Sequence, residues 1–297
     1  MSDSQESETV KLSSGKTIGL AHYGDLNGPA IFYFHGLPSS RLEGKVWAKA
    51  AQTTGAHLIA LDRPGVGLST LQPNRTLLDW PSIVSEAAEH LKIEQFHVLG
   101  TSGGGPYALA CAKELSPEKL KGVGVVAGMS PVSMGLDGMG FASKFSIFFT
   151  QWMPSIGRKL YDWSIIPAAQ DEDPAVFRKK VTDGFEALGE KDRELLNDTE
   201  LTDILVNASR EHFKQGNEGL ADEWRNFVTD WGFELKDVKL ENVRLWCGTE
   251  DSICPPELSR KMKDAMSQAK LSELEGETHY SLLAEKSEQI LRELLDD

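Results

Sequence analysis

Two kinds of hydrophobic spacing divide the chain. Short, unbroken apolar runs recur through its first 130 residues: Ala30-Ile31-Phe32-Tyr33-Phe34, His57-Leu58-Ile59-Ala60-Leu61, Phe96-His97-Val98-Leu99 and Gly122-Val123-Gly124-Val125-Val126-Ala127. Runs this short, without polar alternation, are expected of strands buried on both faces. Between them lie helix-compatible stretches, Arg41 to Thr53, about Leu77 to Leu91, and one opening at Pro106-Tyr107-Ala108-Leu109. Strands alternating with helices predict an α/β fold with a mostly parallel sheet flanked by helices. At the start, Glu8 to Leu12 and Lys16 to Tyr23 flank Ser13-Ser14-Gly15, which is hairpin chemistry.

The rhythm stops at Ser130. To roughly Phe233 the spacing is helical, as in Phe141-Ala142-Ser143-Lys144-Phe145-Ser146-Ile147-Phe148-Phe149, and no strand pattern stands out. It resumes with Val243-Arg244-Leu245-Trp246-Cys247, a helix from Pro256 to Met266, a short strand from Ala269 to Leu274 and a last helix from Ser281 to Leu295. The organisation expected is a core in two parts, residues 1–129 and 236–297, with a helical cap of residues 130–235 inserted over one edge of the sheet. No internal repeat or low-complexity linker interrupts it.

Composition narrows the function classes. The 297 residues are 40% hydrophobic and 26% charged, ordinary for a globular protein, and carry a formal net charge of -14. An acidic surface repels the nucleic-acid backbone and gives no support for binding anionic membranes, so a small-molecule substrate is the partner expected. No apolar run approaches the roughly 20 residues that span a bilayer. The polar, acidic start Met1-Ser2-Asp3-Ser4-Gln5-Glu6-Ser7-Glu8 lacks the basic and apolar regions of a secretory signal, and the expected location is the cytoplasm. Cys111, Cys247 and Cys254 are odd in number and have no metal-ligand spacing, which argues against a disulfide framework or a metal site.

The chemistry concentrates at Gly100-Thr101-Ser102-Gly103-Gly104, between an apolar strand and a helix. Small neighbours let the chain turn sharply enough to push a serine hydroxyl out of the backbone. By composition alone a G-x-S-x-G pentapeptide arises about 0.2 times per sequence of this kind, so Ser102 needs partners elsewhere. A serine is a poor nucleophile until a base takes its proton. Of seven histidines, His22, His57, His90 and His97 fall within or beside predicted elements, and His212 reads as a surface residue of the helical insertion. His279 falls in Glu275-Gly276-Glu277-Thr278-His279-Tyr280, after a strand and before the final helix, where sheet enzymes place chemistry. In that loop Glu277 reads as a water-exposed acid.

A carboxylate must then orient the histidine, and Gly248-Thr249-Glu250-Asp251 offers two, of which Asp251 is preferred. The donors for an oxyanion are expected from the Gly103 amide and from His35-Gly36-Leu37-Pro38. Pro38 has no N–H, so Leu37 is the preferred donor with Gly36 second, and His35 reads as a residue holding the loop.

These marks, in order, resemble the α/β-hydrolase superfamily over nearly the whole chain. They are His35-Gly36, Asp62-Arg63-Pro64-Gly65-Val66-Gly67-Leu68-Ser69, the turn at Ser102, Gly248-Thr249-Glu250-Asp251 with Pro255, and Thr278-His279-Tyr280. The resemblance implies an eight-stranded, mostly parallel sheet, a cap after the sixth strand, and a catalytic triad of Ser102, Asp251 and His279 that needs no cofactor. Among capped members, those using aspartate at the turn, the epoxide hydrolases and haloalkane dehalogenases, are disfavoured by the serine. The activity expected is hydrolysis of an ester or lactone; a carbon–carbon bond hydrolase on the same triad, or a receptor of this fold with little turnover, are the alternatives. Phe141, Phe145, Phe148, Phe149, Trp152 and Trp163 of the cap are candidates to line an apolar pocket or to pack the cap onto the core. Phe145, Phe149 and Trp152, together with Gly36 and Met129, are the substrate-binding residues expected.

Overall fold

The computed structural model describes residues 5–296, and of Phe141, Ala142, Ser143, Ser146, Phe149, Pro154, Ser155 and Gly157 it describes the backbone alone. The apolar runs form the strands: β1 (Glu8–Lys11), β2 (Thr17–Gly24), β3 (Ala30–Phe34), β4 (His57–Leu61), β5 (Phe96–Thr101), β6 (Leu120–Val126), β7 (Val243–Gly248) and β8 (Lys270–Leu274). They make one sheet in the order β1-β2-β4-β3-β5-β6-β7-β8. β1 pairs β2, and β2 pairs β4, antiparallel. Every other pairing is parallel, so the carboxyl ends of β3 to β8 share one edge.

Helices α1 (Ala48–Thr54), α2 (Trp80–His90), α3 (Gly105–Glu114) and α11 (Pro256–Ala265) provide the crossovers. The two-residue period of a strand sorts its side chains between two cores. On β3, Phe32 and Phe34 pack with Trp80, Val84 and Tyr107 on one face. Ile31 and Tyr33 pack with Trp47, Ala51 and Leu294 on the other. All of β3 is buried, which is why it reads as a continuous apolar run. Each such ring or branched chain taken out of water contributes about 1.5–3 kcal/mol.

Two local differences from the sequence pattern stand out. Arg41–Trp47 winds as a 3-10 turn before α1, in place of a single α-helix. The last predicted helix is two, α12 (His279–Glu285) and α13 (Ser287–Leu295), broken at Lys286, whose φ of -110° and ψ of 2° leave the helical range. Leu282 and Leu283 before the break and Ile290, Leu291 and Leu294 after it enter the same core. Their spacing therefore gives no sign of an interruption.

Between β6 and β7 the regular elements are helical: α4 (Phe141–Trp152), α5 (Pro154–Ser164), α6 (Ile166–Ala169), α7 (Pro174–Phe185), α8 (Glu190–Leu195), α9 (Thr199–His212) and α10 (Glu218–Val228), with short 3-10 turns. Asp173 and Asp198 cap α7 and α9 by accepting backbone N–H groups at 2.9 and 2.8 Å. This segment has a small core of its own, Ala169, Phe177, Val206, Phe213 and Leu220. Ion pairs bolt it to the rest of the fold: Arg63 with Glu223, wholly buried, and the partly exposed pairs Arg41 with Glu211 and Lys191 with Glu277. No helix among the described residues is long and apolar enough to cross a membrane.

Candidate active site

Ser102 follows the last residue of β5 and holds a φ of +51°, a left-handed conformation that costs a residue with a Cβ roughly 1–2 kcal/mol. The turn is possible because its neighbours are bare. A Cβ on Gly104 would strike the Phe34 carbonyl, and one on Gly100 would strike the Gly104 carbonyl. The Ser102 carbonyl accepts the Met129 N–H at 3.1 Å, which ties the turn to the end of β6.

His279 is the first residue of α12, not a loop residue. The Thr278 N–H donates to Ser281 Oγ at 2.8 Å, the Thr278 hydroxyl donates to Asp192 Oδ1, and this capping fixes where the imidazole enters. His279 Nδ1 donates to Asp251 Oδ2 at 2.8 Å. The other oxygen, Oδ1, accepts the Ile253 and Cys254 N–H groups, each at 2.8 Å. The carboxylate is thereby locked, and the Nδ1–H it holds leaves the Nε2 lone pair of the neutral ring free. Burial alone would push the His279 pKa down. The Asp251 charge and hydrogen bond outweigh it, with smaller help from Asp192 and Glu43, and the pKa rises above the ordinary histidine value.

Ser102 and His279 face one cavity of about 320 Å³, together with Gly36, Leu37 and Pro38. The loop that carries those three is fastened at several points. Arg63 Nη1 donates to the His35 carbonyl at 2.6 Å, and Nη2 donates to the Gly36 carbonyl at 3.0 Å. His35 Nδ1 donates to the same Gly36 carbonyl at 2.8 Å. The Gly36 N–H is taken by Glu43 Oε1 at 2.8 Å, which removes it as an oxyanion donor. In a trans peptide the C=O and the following N–H point opposite ways, so holding the Gly36 carbonyl on Arg63 turns the Leu37 N–H the other way. The Leu37 and Gly103 N–H groups have no acceptor among the described residues. Gly103 also stands at the positive end of α3.

A family model described as alpha/beta hydrolase fold matches residues 29–161. The esterase EaEST from Exiguobacterium antarcticum superposes with a TM-score of 0.67 at 17% identity, over 96% of this chain and 97% of that one. The chain has the α/β-hydrolase fold. An enol-lactonase from Burkholderia xenovorans LB400 superposes on this hydrolase fold with a TM-score of 0.66 at 17% identity, over 97% of this chain and 100% of that one. A proline iminopeptidase from Lactobacillus helveticus (strain DPC 4571) is 23% identical over 303 residues, covering 90% of each chain. What each of these acts on is a property of that protein.

The cavity wall of this α/β-hydrolase fold differs from the one its aromatic stripe suggested. Phe145 and Trp152 are 57% and 70% exposed and do not line the cavity. Met129 packs between the two cores instead, and the side chain of Phe149 lies outside the described residues. Gly36 does line the cavity, and the apolar wall above it comes from Tyr161, Ile165, Phe177, Val181 and Phe213. Phe145 and Trp152 of α4 turn outward, while Ile147 of the same helix packs with Val228 and Leu258.

Other residues also depart from their sequence reading. His212 is buried, not exposed, and its Nδ1 donates to the Ser39 carbonyl at 2.7 Å. Glu277 is buried as well. Burial would raise its pKa, but Lys191, Ser281 and Lys286 hold it at about 2. Arg63 and Glu223 are wholly buried and paired, with Arg75 Nη2 at 3.2 Å from the same carboxylate. Burial would raise Glu223, and the Arg63 and Arg75 charges override it to about 2. A signal for Arg63 existed, since an arginine two residues past a buried strand must be either exposed or paired. Its partner, 160 residues away, left none.

Proposed function

We propose that the protein is a serine hydrolase acting on small to medium, largely apolar esters or lactones through an acyl-enzyme. Ser102 Oγ attacks the carbonyl carbon while His279 Nε2 takes its proton, and Asp251 holds the ring and balances the imidazolium that forms. The Leu37 and Gly103 N–H groups receive the negative charge that develops on the carbonyl oxygen. As the tetrahedral species collapses, the carbon–oxygen bond to the leaving group breaks and His279 returns the proton to the departing alcohol. Water then repeats the sequence on the acyl-serine, with His279 as base, and releases the acid and the free Ser102 hydroxyl.

The observation that carries this reading is the His279–Asp251 hydrogen bond at 2.8 Å facing the same cavity as a serine at φ +51°. A cavity of about 320 Å³ with a largely apolar wall suits a compact substrate. The test compares the parent with Ser102→Ala on short p-nitrophenyl esters and on a fluorophosphonate probe. The substitution is expected to remove at least about 10³-fold of kcat/KM and all labelling. Undiminished turnover in the variant refutes the proposal.

A further inference from the structure

Glu43 places a carboxylate in the cavity wall, and beyond its small lift of the His279 pKa the acyl-transfer scheme gives it no task. It sits on the 3-10 turn after β3 and is 5% exposed. Its Oε1 is fully used, accepting the Tyr33 hydroxyl at 2.5 Å and the Gly36 N–H at 2.8 Å. Oε2 has no donor or cation among the described residues. The neighbouring cations are committed elsewhere, Arg41 to Asp62 and Glu211, and Arg63 to Glu223. Lys180 lines the same cavity from α7 without pairing to Glu43.

The space in front of Oε2 is also specific. A Cβ on Gly36 would lie 3.4 Å from Glu43 Oε2 and 3.6 Å from Ser102 Cβ, ordinary contact distances. Packing therefore has room for a methyl group there, and the glycine leaves a gap that joins the carboxylate to the serine. The two atoms are at most 7.0 Å apart. An anion so close to a developing oxyanion, offset only by the His279 imidazolium that forms with it, works against it. That repulsion becomes attraction when the substrate brings a cation into the gap.

We propose that Glu43 recognises a protonated amine carried by the substrate within a few bonds of the scissile carbonyl, so that amine-bearing esters are the preferred substrates. The inference rests on Ser102 being the nucleophile. A charge-assisted hydrogen bond of this kind corresponds to a preference of about ten- to a hundredfold.

The test uses matched pairs at pH 7: L-alanine methyl ester against methyl propionate for an amine in the acyl half, and 2-(dimethylamino)ethyl acetate against 3-methylbutyl acetate for one in the alcohol half. The parent is expected to favour the amine in at least one pair by about tenfold or more in kcat/KM. Glu43→Gln, which keeps an acceptor for Tyr33 and Gly36 but no charge, is expected to collapse that ratio. A parent with no preference in either pair, or a ratio that survives the substitution, overturns the proposal. Should the variant not fold, the parent alone decides: 1-aminoethylboronic acid is expected to inhibit about tenfold more tightly than ethylboronic acid, and equal inhibition overturns the proposal. If neither boronate nor fluorophosphonate engages Ser102, the serine reading fails and this inference falls with it. Normal labelling without an amine preference fails the Glu43 inference alone.

Discussion

Ser102, Asp251 and His279 stand at or just beyond the carboxyl ends of β5, β7 and β8, where parallel pairing fixes the backbone. The side chains that face them, among them Tyr161, Ile165, Phe177, Val181 and Phe213, come from the helical segment between β6 and β7. The first group is placed by local geometry: a left-handed serine between bare glycines, a threonine cap before a histidine, and a carboxylate locked by two amides. The second is placed by how helices far apart in sequence rest on each other. A change in the first group should therefore alter chemistry with little effect on binding, and a change in the second should do the reverse.

The sharpest break in that comparison is Asp251→Asn. Amide for acid keeps the shape but loses the charge that holds the His279 tautomer, and a loss of roughly 10²- to 10⁴-fold in kcat is expected with a small change in KM. The pH profile adds a sign. As the proposed base His279 must be neutral, so activity is expected to rise with pH through its pKa, which Asp251 holds above the ordinary histidine value. Without that charge burial dominates, and the midpoint of the rise moves to lower pH. An unmoved midpoint in a pH–rate profile of the variant would show that Asp251 does not govern His279.

A second change tests the bolt between the two regions. Glu223→Gln removes the charge facing Arg63 and Arg75 in a wholly buried site and is expected to cost about 3–5 kcal/mol in a denaturant melt. The parent's own acid response has a definite direction. Because Glu223 is held at about 2 in the folded protein, its contribution is present above the ordinary carboxylate range and is lost as pH falls toward 2. The Gln variant should lack that part of the acid dependence. Arg63 also holds the His35 and Gly36 carbonyls, so a loosened Arg63 should lower kcat more than it raises KM.

The same division explains what the sequence made legible. Strand positions, the turn at Ser102 and the loops holding Asp251 and His279 are written in runs of a few residues, because apolar spacing, glycine and capping act locally. Glu43 and Arg63 lie in short segments whose residues were visible, but their roles depend on partners at Gly36 and Glu223 that only folding brings near. His212 and Glu277 read as exposed for the same reason: each is buried by an element distant in sequence, His212 against Ser39 and Glu277 against Lys191. Phe145 and Trp152 show the opposite failure, since an aromatic stripe at helical spacing marks a face and does not say which way it turns.

The smallest expected effect follows from that last point and separates the two kinds of aromatic residue. Phe177 is 1% exposed and belongs both to the small helical core and to the cavity wall, so Phe177→Leu should raise KM for apolar esters several-fold and shift preference toward bulkier acyl groups, with kcat held within about threefold. Trp152 is 70% exposed, and Trp152→Ser should leave both constants and the melting temperature close to the parent's. A steady-state comparison on a graded series of p-nitrophenyl esters measures both. If Trp152→Ser changed chain-length preference as much as Phe177→Leu, α4 would have to fold inward when substrate is present, and the cavity wall would include the stripe that the sequence marked.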